Sequence, residues 1–235
     1  MKQYQNYIFD LYGTLIDIHT DEESFRFWHE LKDQCRLIEQ PAVLRKRYYE
    51  LCQEEARKHP QENAEIDLYP VFTQLFHIQD EMQIHRLAYH FRRLSRRRFE
   101  VYDGVKEELA RLKEEGKGVY LLSNAQVLFT LPELKETELE QYFDGICISS
   151  ALGFRKPEVS LLENLLKKYK MNKQECVFFG NDFDDDMAMA QKAGIDAVYI
   201  NTAGWPDDVI ARRQQEYGFL LSAPSVSEAL EEEAV

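Results

Sequence analysis

Apolar residues fall in short runs near the start and through the second half of the chain, and at helical spacing in between. Residues 7–9, YIF, stop at Asp10 and are followed by Gly13, which predicts a buried strand ending in a loop. From about 19 to 99 glycine disappears, while Phe25, Trp28, Leu31, Cys35 and Ile38 recur every three or four positions. That spacing predicts an all-helical unit, with Pro41, Pro60 and Pro70 marking turns or helix starts. After Gly104 the rhythm changes again. VKEELARLKEEG reads as a helix, GVYLLSN as a strand, and a polar loop leads to the strand in FDGICISS. GFRKPEVSLLENLLKKY reads as loop and helix, ECVFFGND as strand and loop, DDMAMAQKAG as helix, IDAVYIN as strand and VSEALEEEAV as an acidic terminal helix.

Alternating strands and helices of this length imply a doubly wound, Rossmann-like parallel sheet, because parallel neighbours need a crossover that packs a helix on the sheet. The expected organisation is an α/β core from residues 1–18 and 100–235 with an all-helical domain of residues 19–99 inserted into it. Ligands of such sheets bind beyond the carboxyl ends of the strands. Four places should therefore converge there: Asp10, Ser123, Lys156 and the acidic loop 181–186.

Composition narrows the partners. The 235 residues are 44% hydrophobic with a net charge of −13, from 42 acidic and 29 basic side chains. A nonspecific hold on nucleic acid or anionic lipid is disfavoured, and a small ligand or divalent cation fits better. The basic stretch RRLSRRRF at 92–99 reads as a solvated helix face or an anion-steering edge. Cys35, Cys52, Cys147 and Cys176 form no CxxC pair, no signal peptide is evident, and no apolar run approaches the roughly 20 residues of a membrane span. A cytoplasmic protein is expected; oligomeric state is not legible.

Asp10 at a strand end can be a buried structural acid, a metal ligand or a nucleophile. Gly13 would let backbone amides approach an anion, and Thr14 adds a hydroxyl. Ser123 and Asn124 can cap a helix or donate to a phosphoryl oxygen. Lys156 can be a surface lysine or a fixed charge beside a nucleophilic carboxylate. Asp182, Asp184, Asp185 and Asp186 can simply favour a helix start; alternatively Asp182 and Asp186, four apart, both face Asp10. Three carboxylates in one crevice repel, which a bound cation would relieve, and oxygen ligands without nearby histidines favour Mg²⁺ over zinc.

Together, DLYGTLID, LLSNA, GFRKPE and GNDFDDDMAMAQKAG resemble, in this order, the four motifs of the haloacid dehalogenase superfamily. The resemblance covers residues 7–200 and implies that the helical insert is a cap over the active site. It implies Asp10 as nucleophile, Ser123 as a donor to substrate, Lys156 as charge partner, and Asp10, Asp182, Asp186 and the Tyr12 carbonyl as Mg²⁺ ligands. Phosphatases of this pattern usually carry a second aspartate at Tyr12, acting as general acid and base; tyrosine there is typical of the dehalogenase branch. A phenol, with a reference pKa near about 10, is a poor base at neutral pH. The acidic loop favours the phosphatase, since the dehalogenases usually carry serine and asparagine there. The resulting expectation is a Mg²⁺-dependent phosphatase of small phosphate esters working through an aspartyl phosphate. The alternatives are a 2-haloacid dehalogenase and a catalytically weak ligand-binding protein. Substrate identity should be set by the cap, most of whose aromatic residues should nonetheless be core.

Overall fold

The computed structural model describes residues 4–234, with side chains placed to Glu231. Its centre is a six-stranded parallel sheet in the order β5-β4-β1-β6-β7-β8. The strands are β1 (Asn6–Phe9), β4 (Gly118–Ser123), β5 (Gly145–Ile148), β6 (Cys176–Gly180), β7 (Asp196–Ile200) and β8 (Leu221–Ala223). β1 pairs with β4 on one side, Phe9 opposite Leu121, and with β6 on the other, Phe9 opposite Phe179. Strand order thus turns about β1, so the loops after β1, β4 and β6 part above it and leave a crevice.

Side chains alternate across the sheet and fill two cores. Tyr7, Phe9, Val119, Leu121 and Phe179 face helices α5 (Val105–Glu114) and α10 (Val226–Ala234). Ile8, Tyr120, Leu122, Phe178 and Tyr199 face α7 (Val159–Tyr169) and α8 (Ala188–Ala193). This is the doubly wound core the pattern predicts. Three elements are not legible in that pattern, among them helix α9 (Asp207–Tyr217), none of whose residues is buried. Residues 127–136, taken for polar loop, form helix α6 despite Pro132 inside it, and β8 is too short for periodicity to betray it.

Between β2 (Ile16–Thr20) and β3 (Arg96–Val101), which pair antiparallel, lie α1 (Phe25–Cys35), α2 (Pro41–Arg57), α3 (Leu68–Phe76) and α4 (Glu81–Ser95). Pro41 starts α2 at a position where its missing N–H costs nothing. The apolar stripe of α1 is shifted from expectation. Phe27, Trp28 and Leu31 are buried, whereas Phe25 is 61% and Ile38 93% exposed. The basic stretch 92–99 also corrects the sequence reading: it ends α4 and becomes β3, and Arg92 and Arg96 turn inward onto Glu133.

The four helices share one aromatic core in which Phe91 lies 4.8 Å from Phe27 and 5.1 Å from Phe72, centroid to centroid. Leu128 and Phe129 of α6 belong to the same cluster, so the insert is continuous with one helix of the α/β core. The loop between α2 and α3 makes a second attachment. Glu65 accepts from the Ser149 hydroxyl at 2.8 Å, and the Gln126 side chain bonds the backbone of Ile66 and Leu68. Among the described residues no helix is long and apolar enough to cross a membrane.

Candidate active site

Asp10 is the first residue beyond β1, and its amide still donates to Phe179 at 2.8 Å, so sheet pairing fixes its position. The turn after it closes on itself. Gly13 N–H donates to Ile16, Thr14 N–H to Leu11 and Leu15 N–H to Leu11. These three amides are therefore spent inside the turn. The glycine itself is needed for a steric reason. Its φ is +84°, and a Cβ there would lie 2.3 Å from the Asn181 side chain. Thr14 is likewise turned to its neighbours, its hydroxyl 3.4 Å from Asp10 Oδ2 and 3.1 Å from Asn181 Oδ1.

Lys156 reaches the crevice from the loop after β5. Its Nζ lies 2.6 Å from Asp10 Oδ1 and 2.6 Å from Asp186 Oδ1, and donates to the Leu122 carbonyl at 3.3 Å. Asp10, Lys156 and Asp186 are 5%, 2% and 1% exposed, so the surface-lysine reading fails here. One ammonium between two carboxylates supplies much of the relief that the sequence assigned to a metal ion. Burial, and then the Asp10 charge, raise the Asp186 carboxyl above its ordinary range, while Lys156 pulls it down. The Lys156 ammonium is raised because both carboxylates favour its charged form against desolvation.

Asn124 holds this lysine by its backbone, accepting from Lys156 N–H at 2.7 Å and donating to Lys156 O at 3.2 Å and Asp185 Oδ2 at 3.0 Å. Its side chain is thus a brace more than a free donor. Ser123, at the end of β4, is the opposite case: its hydroxyl is buried without a hydrogen-bond partner. A buried hydroxyl facing a polar cavity without a partner is what a bound oxyanion would satisfy.

Asp182 and Asp186 both line the crevice but are bonded differently. Asp186 Oδ2 accepts from the amides of Asn181 and Asp182 at 3.0 and 3.1 Å. Asp182 caps the following turn, its Oδ1 accepting from Asp184 and Asp185. Sequence reasoning therefore placed both four-apart acids at the crevice, but one of them spends an oxygen as a helix cap. Among the described residues no three acidic, histidine or cysteine side chains converge into a ready-made metal cage. The donors present are nonetheless all hard oxygens, and Asp186 Oδ1 has only the ion pair with Lys156. That chemistry fits Mg²⁺.

Tyr12 lines the crevice, yet its phenol is directed into α6. The hydroxyl donates to Glu133, lies 3.1 Å from Thr130 Oγ1, and burial, then the Glu133 charge, push its ionisation far above the usual range. It is no acid or base for chemistry near neutral pH. Asp10, Tyr12, Ser123, Asn124, Lys156, Asn181, Asp182, Asp185 and Asp186 enclose a cavity of about 160 Å³. Gly13 and Thr14 do not line it. Asn181 and Asp185 lie within the acidic loop 181–186 that the sequence brings to the crevice, but neither has a role of its own there; their signal is adjacency to the Asp182–Asp186 pair. Thr202, which donates to the Gly13 carbonyl at 2.6 Å, had none.

The model of the haloacid dehalogenase-like hydrolases matches residues 4–194, spanning all four loops of this crevice. The chain belongs to that family. Among curated relatives, this haloacid dehalogenase-like hydrolase is 23% identical over 130 residues to a glyceraldehyde 3-phosphate phosphatase of Pyrococcus furiosus, covering 55% of the chain and 54% of the relative. It is 32% identical over 96 residues to phosphoglycolate phosphatase 1 of Pseudomonas aeruginosa, covering 41% and 35%. The chain thus spans about half the length, or less, of these curated relatives. In fold it is similar to a 2-haloacid dehalogenase of Pseudomonas syringae, with a TM-score of 0.68 over 99% of both chains at 20% identity.

Proposed function

We propose that this hydrolase is a Mg²⁺-dependent phosphatase of small phosphate esters, with Asp10 as nucleophile. The observation that carries the reading is the buried Asp10–Lys156–Asp186 triad beside the partnerless Ser123 hydroxyl. Asp10 attacks phosphorus with the oxygen that Lys156 does not hold, the alcohol or acid leaves, and water then releases phosphate from the aspartyl phosphate. Lys156 holds Asp10 in place and offers positive charge to the phosphoryl oxygens, while Ser123 donates to one of them. Mg²⁺, held by Asp10, Asp186, Asp182 and the Tyr12 carbonyl, would neutralise charge developing on the transferred group. The curated phosphatases support phosphorus as the centre attacked, as does the acidic loop.

Tyr12 stands where an acid would protonate the leaving group, and its ionisation is pushed the wrong way for that task. Turnover should therefore favour leaving groups that depart unprotonated, such as acyl and aryl phosphates. A panel of phosphate esters and 2-haloacids, run with and without Mg²⁺, tests the reading. Phosphate release that needs Mg²⁺ and disappears in Asp10→Asn supports it. Halide release independent of metal would instead assign displacement at carbon.

A further inference from the structure

The second charged cluster of the molecule lies one side chain away from the crevice. Glu133, on α6, is fully buried. Its Oε1 accepts from Arg92 Nε at 2.8 Å and lies 3.6 Å from Arg96 Nη1, while its Oε2 accepts the Tyr12 hydroxyl proton. Arg92 lies in the last turn of α4, the last helix of the insert, and its guanidinium also sits 5.5 Å from the Tyr12 ring centroid and 5.2 Å from that of Phe129. Arg96 opens β3 and pairs with Glu136, one turn further along α6, at 3.0 Å. Tyr12 itself sits two residues after Asp10, in the turn closed by the Gly13 and Leu15 amides.

Nothing in the proposed chemistry uses Glu133, yet a buried carboxylate is retained at the cost of desolvating it and two guanidinium groups. Its position accounts for it. Among the described residues its carboxylate is bonded both to Tyr12 of the Asp10 turn and to Arg92 of the insert. Arg92, itself part of the insert, also lies over the Tyr12 ring, so guanidinium, ring and carboxylate form one assembly in which Glu133 supplies the hydrogen bonds to both sides. We infer that Glu133 is a positioning residue: through Tyr12 it fixes the Asp10 turn in register with α4, so that the seat of the insert and the order of the nucleophile loop are one equilibrium.

The inference deepens the proposed phosphatase site and rests on that reading for its catalytic consequence, but its physical content does not need turnover. Amide hydrogen exchange across residues 10–16 reads it directly. In Glu133→Gln, which keeps shape and removes charge, exchange there should quicken roughly tenfold while β6 and β7 stay protected. Tyr12→Phe should do the same, and the double variant should be no worse than either single change, since both cut one chain of contacts. Arg92→Met should loosen the turn as well, and Arg92→Lys should restore part of the protection. For any ester the wild type hydrolyses, kcat should fall in these variants with KM little changed. Unaltered exchange at 10–16 in folded Glu133→Gln, or additive effects in the double variant, would overturn the inference. Normal coupling in an enzyme that hydrolyses no phosphate ester would leave it standing and sink only the phosphatase reading.

Discussion

At the scale of single residues, the crevice holds two groups whose substitution should separate stability from activity. Ser123 has a buried hydroxyl with no partner, so Ser123→Ala removes a polar atom that stabilises nothing in the free protein. Thermal stability should hold or rise, while kcat falls about 10²-fold or more if the hydroxyl donates to the transferring phosphoryl group. Differential scanning fluorimetry beside steady-state kinetics checks both halves; a loss of stability equal to the loss of activity would count against the donor role. Lys156 should behave differently, because removing it leaves Asp10 and Asp186 facing each other without a cation. Lys156→Met should cost about 3–5 kcal/mol near neutral pH. Asp186 already has a raised folded-state pKa, and losing Lys156 raises it further. A native state that binds the extra proton is stabilised below that pKa and loses the advantage as pH rises through it. Chemical denaturation should therefore find the variant less impaired at about pH 5 than at about pH 8; equal loss at both would show that the carboxylates do not press on each other.

At the scale of elements, the discriminating case is α1. Helical spacing singled out Phe25, Trp28, Leu31, Cys35 and Ile38, and an equally good stripe through Phe27, Trp28 and Leu31 is the one buried. Periodicity alone cannot choose between stripes one or two positions apart when both flanks carry aromatic residues; only the facing helices decide. Phe27→Ala should cost about 3–5 kcal/mol, as for other large-to-small changes in a packed core. Phe25→Ala, on an exposed ring touched by Arg45, should cost less than about 1 kcal/mol. Urea denaturation of the two variants measures the difference directly, and similar losses would contradict the observed register. Helix α6 is a related failure of local reading: Pro132 and polar flanks argue for a loop, but Leu128 and Phe129 gain burial against the insert, and Leu134 against the sheet. That gain outweighs the hydrogen bond that proline forfeits.

At the scale of the molecule, the insert behaves as part of the core. Its aromatic cluster runs into α6, and its 61–67 loop is bonded to residues 126, 149, 153 and 155. Replacing residues 22–94 by a short linker should therefore expose Leu128 and Phe129 and strip Glu133 of Arg92. Size-exclusion chromatography should find aggregated or poorly folded protein; a stable monomeric core with native thermal stability would show that the insert is dispensable. No insert side chain lines the crevice among the described residues. The expectation that the cap sets substrate identity by contact thus gains no support from this cavity, and the insert reaches the site through Glu133 and the loop before Lys156.

The sequence by itself determined the alternation of strands and helices, the inserted helical segment and the four strand-end loops, because each is a local matter of periodicity, turn residues and chain connectivity. It also marked Asp10, Ser123, Lys156 and the acidic loop, since chemistry-bearing residues follow apolar runs there. Tertiary structure decided how those residues face one another: Lys156 between two carboxylates, Asp182 turned into a cap, Asn124 as a brace and Tyr12 bound to Glu133. Such partnerships join residues up to 146 positions apart, as Asp10 and Lys156 are. Their free energy depends on burial and on the direction of each side chain, neither of which exists until the sheet and helices have packed.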